Sequence, residues 1–169
     1  AALGVGLGFG LQEIVANFVS GIIILFEKPV RIGDTITIGG VTGKVTKIKI
    51  RATTIADWDR KEVIIPNKTF VTDQLINWSL SDAITRVIVR VGVAYGSDTD
   101  LVQQLIHTAA IGNQRVLKTP EPEVFFTTFG DSTLDFELRF YVDSLSDRNL
   151  AIHEINQHIN RSFNEKDIT

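Results

Sequence analysis

Apolar positions fill the first 26 residues almost without interruption, AALGVGLGFGLQEIVANFVSGIIILF, and Gln12, Glu13, Asn17 and Ser20 are the polar breaks in the run. Wound as a helix the stretch would extend about 39 Å, enough to reach across a bilayer. It makes a poor lipid-facing span, because Gly4, Gly6, Gly8, Gly10 and Gly21 each weaken an isolated helix by roughly 1 kcal/mol relative to alanine. Glycine at this density is tolerated where neighbouring helices pack backbone to backbone, so the pattern predicts a helix buried in a bundle or around a pore. Pro29 should end it, since the residue before a proline is pushed out of the α region.

Beyond Pro29 the period shortens to two. Segments 34–38, 41–50, 52–56 and 62–65 are rich in Ile, Val and Thr, with Gly39-Gly40 and Asp57-Trp58-Asp59-Arg60 as turns. Val45, Ile48 and Ile50 alternate with Lys44, Lys47 and Lys49 apart from one slip, which predicts a β-bulge. Short strands so closely spaced predict a small all-β barrel. The last part reads as a separate α+β unit: a strand over 86–93, a helix over 98–111 capped by Ser97 or Asp98, a hairpin from 123–129 and 134–142, and a helix over 146–163 with Leu150, Ile152, Ile155 and Ile159 on its apolar side. The β-α-β-β-α order is the split arrangement of ferredoxin-like domains, whose final strand is expected beyond Thr169.

Charge sharpens this division. The net charge of −3 conceals a segment, residues 28–51, in which Lys28, Arg31, Lys44, Lys47, Lys49 and Arg51 face Asp34 alone. The preceding 27 residues hold Glu13 and Glu27 and no base. An apolar segment followed at once by a basic cluster is what the positive-inside rule expects on the cytoplasmic side of a membrane. The chain has no cysteine, which excludes disulfides and thiolate metal sites. It opens inside an apolar helical pattern without methionine and is read as part of something longer. A signal peptide fits badly, for want of a basic leader and a small-residue cleavage site.

Candidate chemistry is sparse. The run G-V-G-L-G-F-G invites comparison with phosphate-cradling loops, but a dinucleotide fingerprint needs glycine at Phe9 or a small residue at Leu11, and no Gly-Lys-Ser/Thr ending follows. His107, His153 and His158 have no metal-ligand spacing, the last two standing five apart on a predicted helix. Asp57 and Asp59 sit in a predicted turn, and no nucleophile elbow occurs. No enzyme is indicated, and no cofactor.

Four stretches, in this order, carry a resemblance: the glycine-rich helix ending G-L-Q-E-I-V-A-N-F-V-S-G, the junction F-E-K-P-V-R-I-G-D, the loop and strand T-T-I-A-D-W-D-R-K-E-V-I-I-P-N-K, and G-V-A-Y-G-S-D. Together they resemble the small-conductance mechanosensitive channel (MscS) family, and within it the large, potassium-dependent kind. The resemblance implies a homoheptamer in the bacterial inner membrane that opens under tension and releases ions and small osmolytes during hypoosmotic shock. Its partners would be further copies of itself, membrane lipids and permeant ions. It implies a pore-lining transmembrane helix and following interfacial helix over 1–27, an Sm-like β domain over 28–79, and a ferredoxin-like α/β vestibule domain over 84–169, with everything after about residue 28 cytoplasmic.

By the same resemblance Val5 and Phe9, sharing one helix face, form the pore constriction. Gly6, Gly8 and Gly10 let neighbouring pore helices approach, and Asn17 and Gly21 mark the bend towards the β domain. Glu13 stands where the best-known members carry the glycine at which the helix kinks. If the helix continues past Gln12, Glu13 follows Phe9 at i, i+4 and is expected to form a carboxylate ring at the inner mouth that favours cations. A kinked helix would instead turn it outward, to cap the next helix or pair with Lys28 or Arg31 of a neighbour.

RNA binding is the rival function, since Sm-like and ferredoxin-like folds both serve it and residues 44–51 are basic. An RNA-reading sheet needs exposed aromatics beside cations on adjacent strands. Here Phe125, Phe126, Phe129, Phe136, Phe140 and Tyr141 lie among Glu121, Glu123, Asp131, Asp135 and Glu137, which argues against nucleic acid. A soluble ring scaffold is a third reading and leaves residues 1–26 unexplained.

Overall fold

The computed structural model describes residues 2–169, so the expectation for Ala1 lies outside the described residues. Two compact units divide the chain, one running to Asp82 and the other from Ala83 to Thr169.

The first unit begins with α1 (Ala2–Glu27), one unbroken α-helix. It ends as the proline rule requires: Lys28, next to Pro29, leaves the helix at φ +51° while its N–H still donates to the Ile24 carbonyl at 2.9 Å. Five strands follow, β1 (Thr35–Ile38), β2 (Val41–Ile48), β3 (Ala52–Asp57), β4 (Glu62–Pro66) and β5 (Leu75–Asn77), with a six-residue helix α2 (Asn67–Thr72) before the last. They form one antiparallel sheet in the order β4-β3-β2-β1-β5. Gly39 and Gly40 join β1 to β2 with φ of +56° and +77°, a two-residue turn that residues with side chains rarely adopt. The predicted bulge falls between Val45 and Lys47 of β2. At the β3–β4 hairpin the Asp57 carboxylate accepts from the N–H groups of Asp59 and Lys61, and ion pairing with Asp59 and then Asp57 raises the Lys61 ammonium above its ordinary pKa. The apolar core gathers Val30, Ile36, Ile38, Val45, Ile55 and Ile65 from the sheet and its lead-in, and takes in Ile24 of α1 and Phe70 of α2. Neither α2 nor β5 is named by the sequence pattern.

The second unit contains β6 (Thr85–Ala94), α3 (Thr99–Ile111), β7 (Glu123–Phe129), β8 (Thr133–Val142) and α4 (Asp147–Glu165), with sheet order β6-β8-β7. Each predicted element of this unit is present to within two residues at either end. Asp98, rather than Ser97, caps α3, its carboxylate accepting from the N–H groups of Asp100 and Leu101. Alternation in β8 is regular: Leu134, Phe136, Leu138, Phe140 and Val142 are buried. They meet Val102, Ile106, Ala109 and Ala110 of α3 and Ala151, Ile155, Ile159 and Phe163 of α4. Arg115 ties the segment after α3 to α4 through Asp147 (2.9 Å) and Glu154 (3.2 Å). Hydrogen bonds from Asn113 and then Arg115 hold the Glu154 carboxyl below its ordinary pKa.

On the face of this sheet turned away from the helices, the Arg139 guanidinium lies 4.7 Å from the centre of the Phe125 ring. That is the aromatic-beside-cation pairing an RNA-reading sheet would use. Here both nearby cations are engaged by one carboxylate, since Glu137 takes Arg139 at 2.7 Å and Arg90 at 3.6 Å. Arg139 above all holds Glu137 below its ordinary pKa. No cation of this trio is left over for a phosphate.

Candidate pore helix and its anchorage

Glycine and large apolar residues alternate through the first part of α1, and a period of 100° per residue sorts them onto separate faces. Val5 and Phe9 form one stripe. Gly4 and Gly8 lie about 100° to one side of it, Gly6 and Gly10 about 100° to the other. Val5 and Phe9 are 60% and 74% exposed in the single chain. A side chain added at Gly4, Gly6, Gly8 or Gly10 would meet nothing within 4 Å in the chain's own fold. Gly6 and Gly10 floor a shallow apolar groove walled by Leu3, Leu7 and Leu11. In all, α1 buries Ser20, Gly21 and Ile24, half-buries Ala16 and Ile23, and leaves its other large apolar side chains exposed.

The last half of α1 is held differently. Glu13, Asn17 and Gly21 follow one another at four-residue spacing, and each contacts the α2 region. The Lys68 ammonium donates to both carboxylate oxygens of Glu13, at 3.0 and 3.2 Å. Asn17 accepts the Lys68 backbone N–H at 2.9 Å and donates to the Glu13 carbonyl at 2.8 Å. At Gly21 the helix passes so near the Ile50 carbonyl and the Asn67 side chain that a β-carbon would not fit.

Asn67 organises this junction. It is fully buried, donates from its carboxamide to the carbonyls of Lys49 (2.8 Å) and Ile50 (3.0 Å), accepts from the Thr53 hydroxyl (2.9 Å), and donates its backbone N–H to the Arg51 carbonyl (2.9 Å). The turn between β2 and β3 is thereby pinned under α1. Ile50 itself points outward, 68% exposed between Lys49 and Arg51.

Of the residues singled out from the sequence, the structure joins Glu13, Asn17 and Gly21 in one anchorage and leaves Val5, Phe9, Gly6, Gly8 and Gly10 together on the unanchored part of the same helix. The helix crosses Gln12-Glu13 without a break, as the straight alternative required, yet Glu13 pairs within its own subunit with Lys68. Neither sequence alternative named that partner. Nothing in the sequence pattern singles out Asn67 and Lys68, although both end the stretch V-I-I-P-N-K. Among the described residues no group of three His, Cys, Asp or Glu side chains could hold a metal ion. His107 stands 3.7 Å from Glu121.

A helix long and apolar enough to cross a membrane, set on a β sheet and followed by an α/β unit, defines a class. Residues 13–80 match the family model described as the β-domain of mechanosensitive ion channels, and residues 87–169 match that of the C-terminal region of the MscS mechanosensitive channel. The chain belongs to the MscS family of mechanosensitive ion channels. It is 66% identical over 152 residues to the mechanosensitive channel MscK of Escherichia coli (strain K12), a match covering 90% of this chain and 14% of that protein. It is 55% identical over 163 residues to the miniconductance mechanosensitive channel MscM of the same organism, covering 96% of this chain and 15% of that protein. Among solved structures, Helicobacter pylori MscS in its closed state superposes with a TM-score of 0.88 at 27% identity, over 99% of this chain and 66% of that one. Arabidopsis thaliana MSL1, at 19% identity with a TM-score of 0.80 over 99% of this chain and 62% of that one, shares the fold. The chain thus spans a small fraction of the length of the two Escherichia coli relatives.

Proposed function

We propose that this chain forms the pore lining, inner mouth and cytoplasmic portion of a tension-gated channel that passes ions and small osmolytes on hypoosmotic shock. The observation that carries the reading is the arrangement of faces on α1. An apolar Val5–Phe9 stripe, flanked on both sides by glycines with open space around them, suits a helix that meets a like neighbour on either side and points the stripe at a common axis. Such a ring of apolar side chains can gate by dewetting, because a narrow apolar throat holds water and ions poorly.

In this reading residues 1–27 are the pore helix and its interfacial continuation, with Val5 and Phe9 the constriction, Gly6, Gly8 and Gly10 the packing surfaces, Glu13 the inner-mouth ring, and Asn17 and Gly21 the bend. Residues 28–79 are an Sm-like β domain, a reading supported by five short antiparallel strands in one sheet. Residues 84–169 are a ferredoxin-like vestibule domain, supported by the β6-β8-β7 order. The assembly is a homoheptamer in lipid, located in the bacterial inner membrane with the parts beyond about residue 28 in the cytoplasm, where the basic cluster favours them. It is a channel and not an enzyme.

Patch recording of the full-length protein in liposomes tests this. Currents that rise with suction, and electron images of a seven-fold ring in detergent, are expected. A protein that extracts without detergent and gives no tension-activated current would overturn the reading.

A further inference from the structure

Each subunit brings one acid to the middle of α1, and the structure gives that acid a cation of its own. Glu13 is 70% exposed at its side chain and Lys68 43%, so the pair faces water. Exposed ion pairs contribute little to stability. The consequence of this one is electrostatic: a carboxylate with an ammonium 3.0 Å away presents a small dipole to an ion passing at a distance, where a bare carboxylate presents a full charge.

Lys68 is also held where it must be to do this. Its backbone N–H is bound by Asn17, one turn along α1 from Glu13, and its backbone carbonyl accepts from the Thr72 hydroxyl at 3.0 Å. Its predecessor Asn67 is locked into the sheet by the turn carbonyls of Lys49 and Ile50. The lysine stem therefore starts from a fixed base beside α1, and its ammonium reaches Glu13 without displacing either backbone. No other base makes an ion pair with Glu13 among the described residues.

We propose that Lys68 is a specificity-determining residue of the pore, neutralising Glu13 within each subunit so that the inner mouth shows permeating ions a ring of ion pairs in place of a ring of bare carboxylates. This rests on the pore reading of α1 given above. The charge preference of the channel is then set by two positions 55 residues apart. Lys68 acts on permeation through Glu13 and needs no contact with the ion.

Reversal potentials of tension-activated currents under a salt gradient test it, in full-length protein reconstituted in liposomes. K68Q is expected to raise the cation-to-anion permeability ratio about twofold or more, and E13Q to lower it. E13Q/K68Q should return to the wild-type ratio, and so should the exchanged pair E13K/K68E, which also shows that the variants assemble. If K68Q leaves the ratio unchanged while E13Q moves it, or if E13Q/K68Q departs from the wild-type ratio, the neutralising role is overturned and the pore reading stands. Absence of any tension-activated current in the wild type would remove the pore reading and this proposal with it.

Discussion

A β-carbon placed on Gly21 would stand 2.7 Å from Nδ2 of Asn67, and Asn67 has no room to retreat because that same nitrogen is donated to the Lys49 and Ile50 carbonyls. The close approach of α1 to the β sheet therefore depends on the absence of one methyl group. Gly21→Ala should destabilise the anchorage by about 1–3 kcal/mol, the usual range for overpacking. Hydrogen exchange of the amides around Ile50 and Asn67 in detergent-solubilised protein would report it. Protection equal to wild type would mean that the helix can shift at no cost.

Asn67 should be harder to replace than its exposed neighbours. Asn67→Ala removes the donor to two half-buried turn carbonyls and leaves the buried Thr53 hydroxyl without its acceptor, and a buried group left unsatisfied costs about 1–3 kcal/mol. Asn67→Asp should fare no better, since it sets a carboxylate oxygen against carbonyl oxygens that need a donor. The expected result is a lower denaturation midpoint for both, with Lys68→Ala nearly unchanged. A midpoint for Asn67→Ala within error of wild type would contradict the assigned network.

Phe9→Ser should make the channel leaky at rest, because a hydroxyl at an apolar throat favours wetting. Gly8→Ser should do the same by disturbing helix packing. Slow growth of cells expressing either variant, relieved by high osmolarity, is the expected phenotype. Unchanged resting conductance and tension threshold in both would place the constriction elsewhere.

The basic cluster gives a topological prediction. Lys47 is exposed and pairs with Glu62 at 3.4 Å across the sheet surface. A cysteine at Lys47 should react with an impermeant thiol reagent from the cytoplasmic side alone. Labelling from the periplasm would reverse the orientation.

Acid should loosen the second unit. Glu154 has a folded-state pKa below its ordinary value of 4.5, through Asn113 and Arg115. Its stabilising contribution is therefore present above that value and is lost as pH falls through the lower folded-state value. Glu137, lowered chiefly by Arg139, acts in the same direction. Amide protection in α4 should fall on acidification below about pH 4.5, and Glu154→Gln should flatten that fall. An identical pH profile for the variant would show that the Arg115 cluster is not responsible.

Most elements were legible because their periods are long enough to show. The ten residues of β8 alternate strictly, and the helix over Asp147–Glu165 places Ile155 and Ile159 on one side. The six residues of α2 and three of β5 are too short for any period to declare itself, and α2 follows directly on a strand ending in Pro66. The same shortness hid Lys68. Its bond to Glu13 joins positions 55 apart, so no local spacing could indicate it, whereas Val5, Phe9 and Glu13 were connected by helical arithmetic alone. Asn17, a bend position by the resemblance, accepts from α2 with its carboxamide oxygen and donates from its nitrogen back to its own helix.

The unequal treatment of the two ends of α1 has a mechanical consequence. From Glu13 to Gly21 the helix is fastened at three successive turns, while the segment holding Gly4, Gly6, Gly8 and Gly10 is exposed along its length. The fastened end is a fulcrum and the glycine-rich end a lever arm of low stiffness. A sideways load on that arm reaches the sheet by way of the fastened turns.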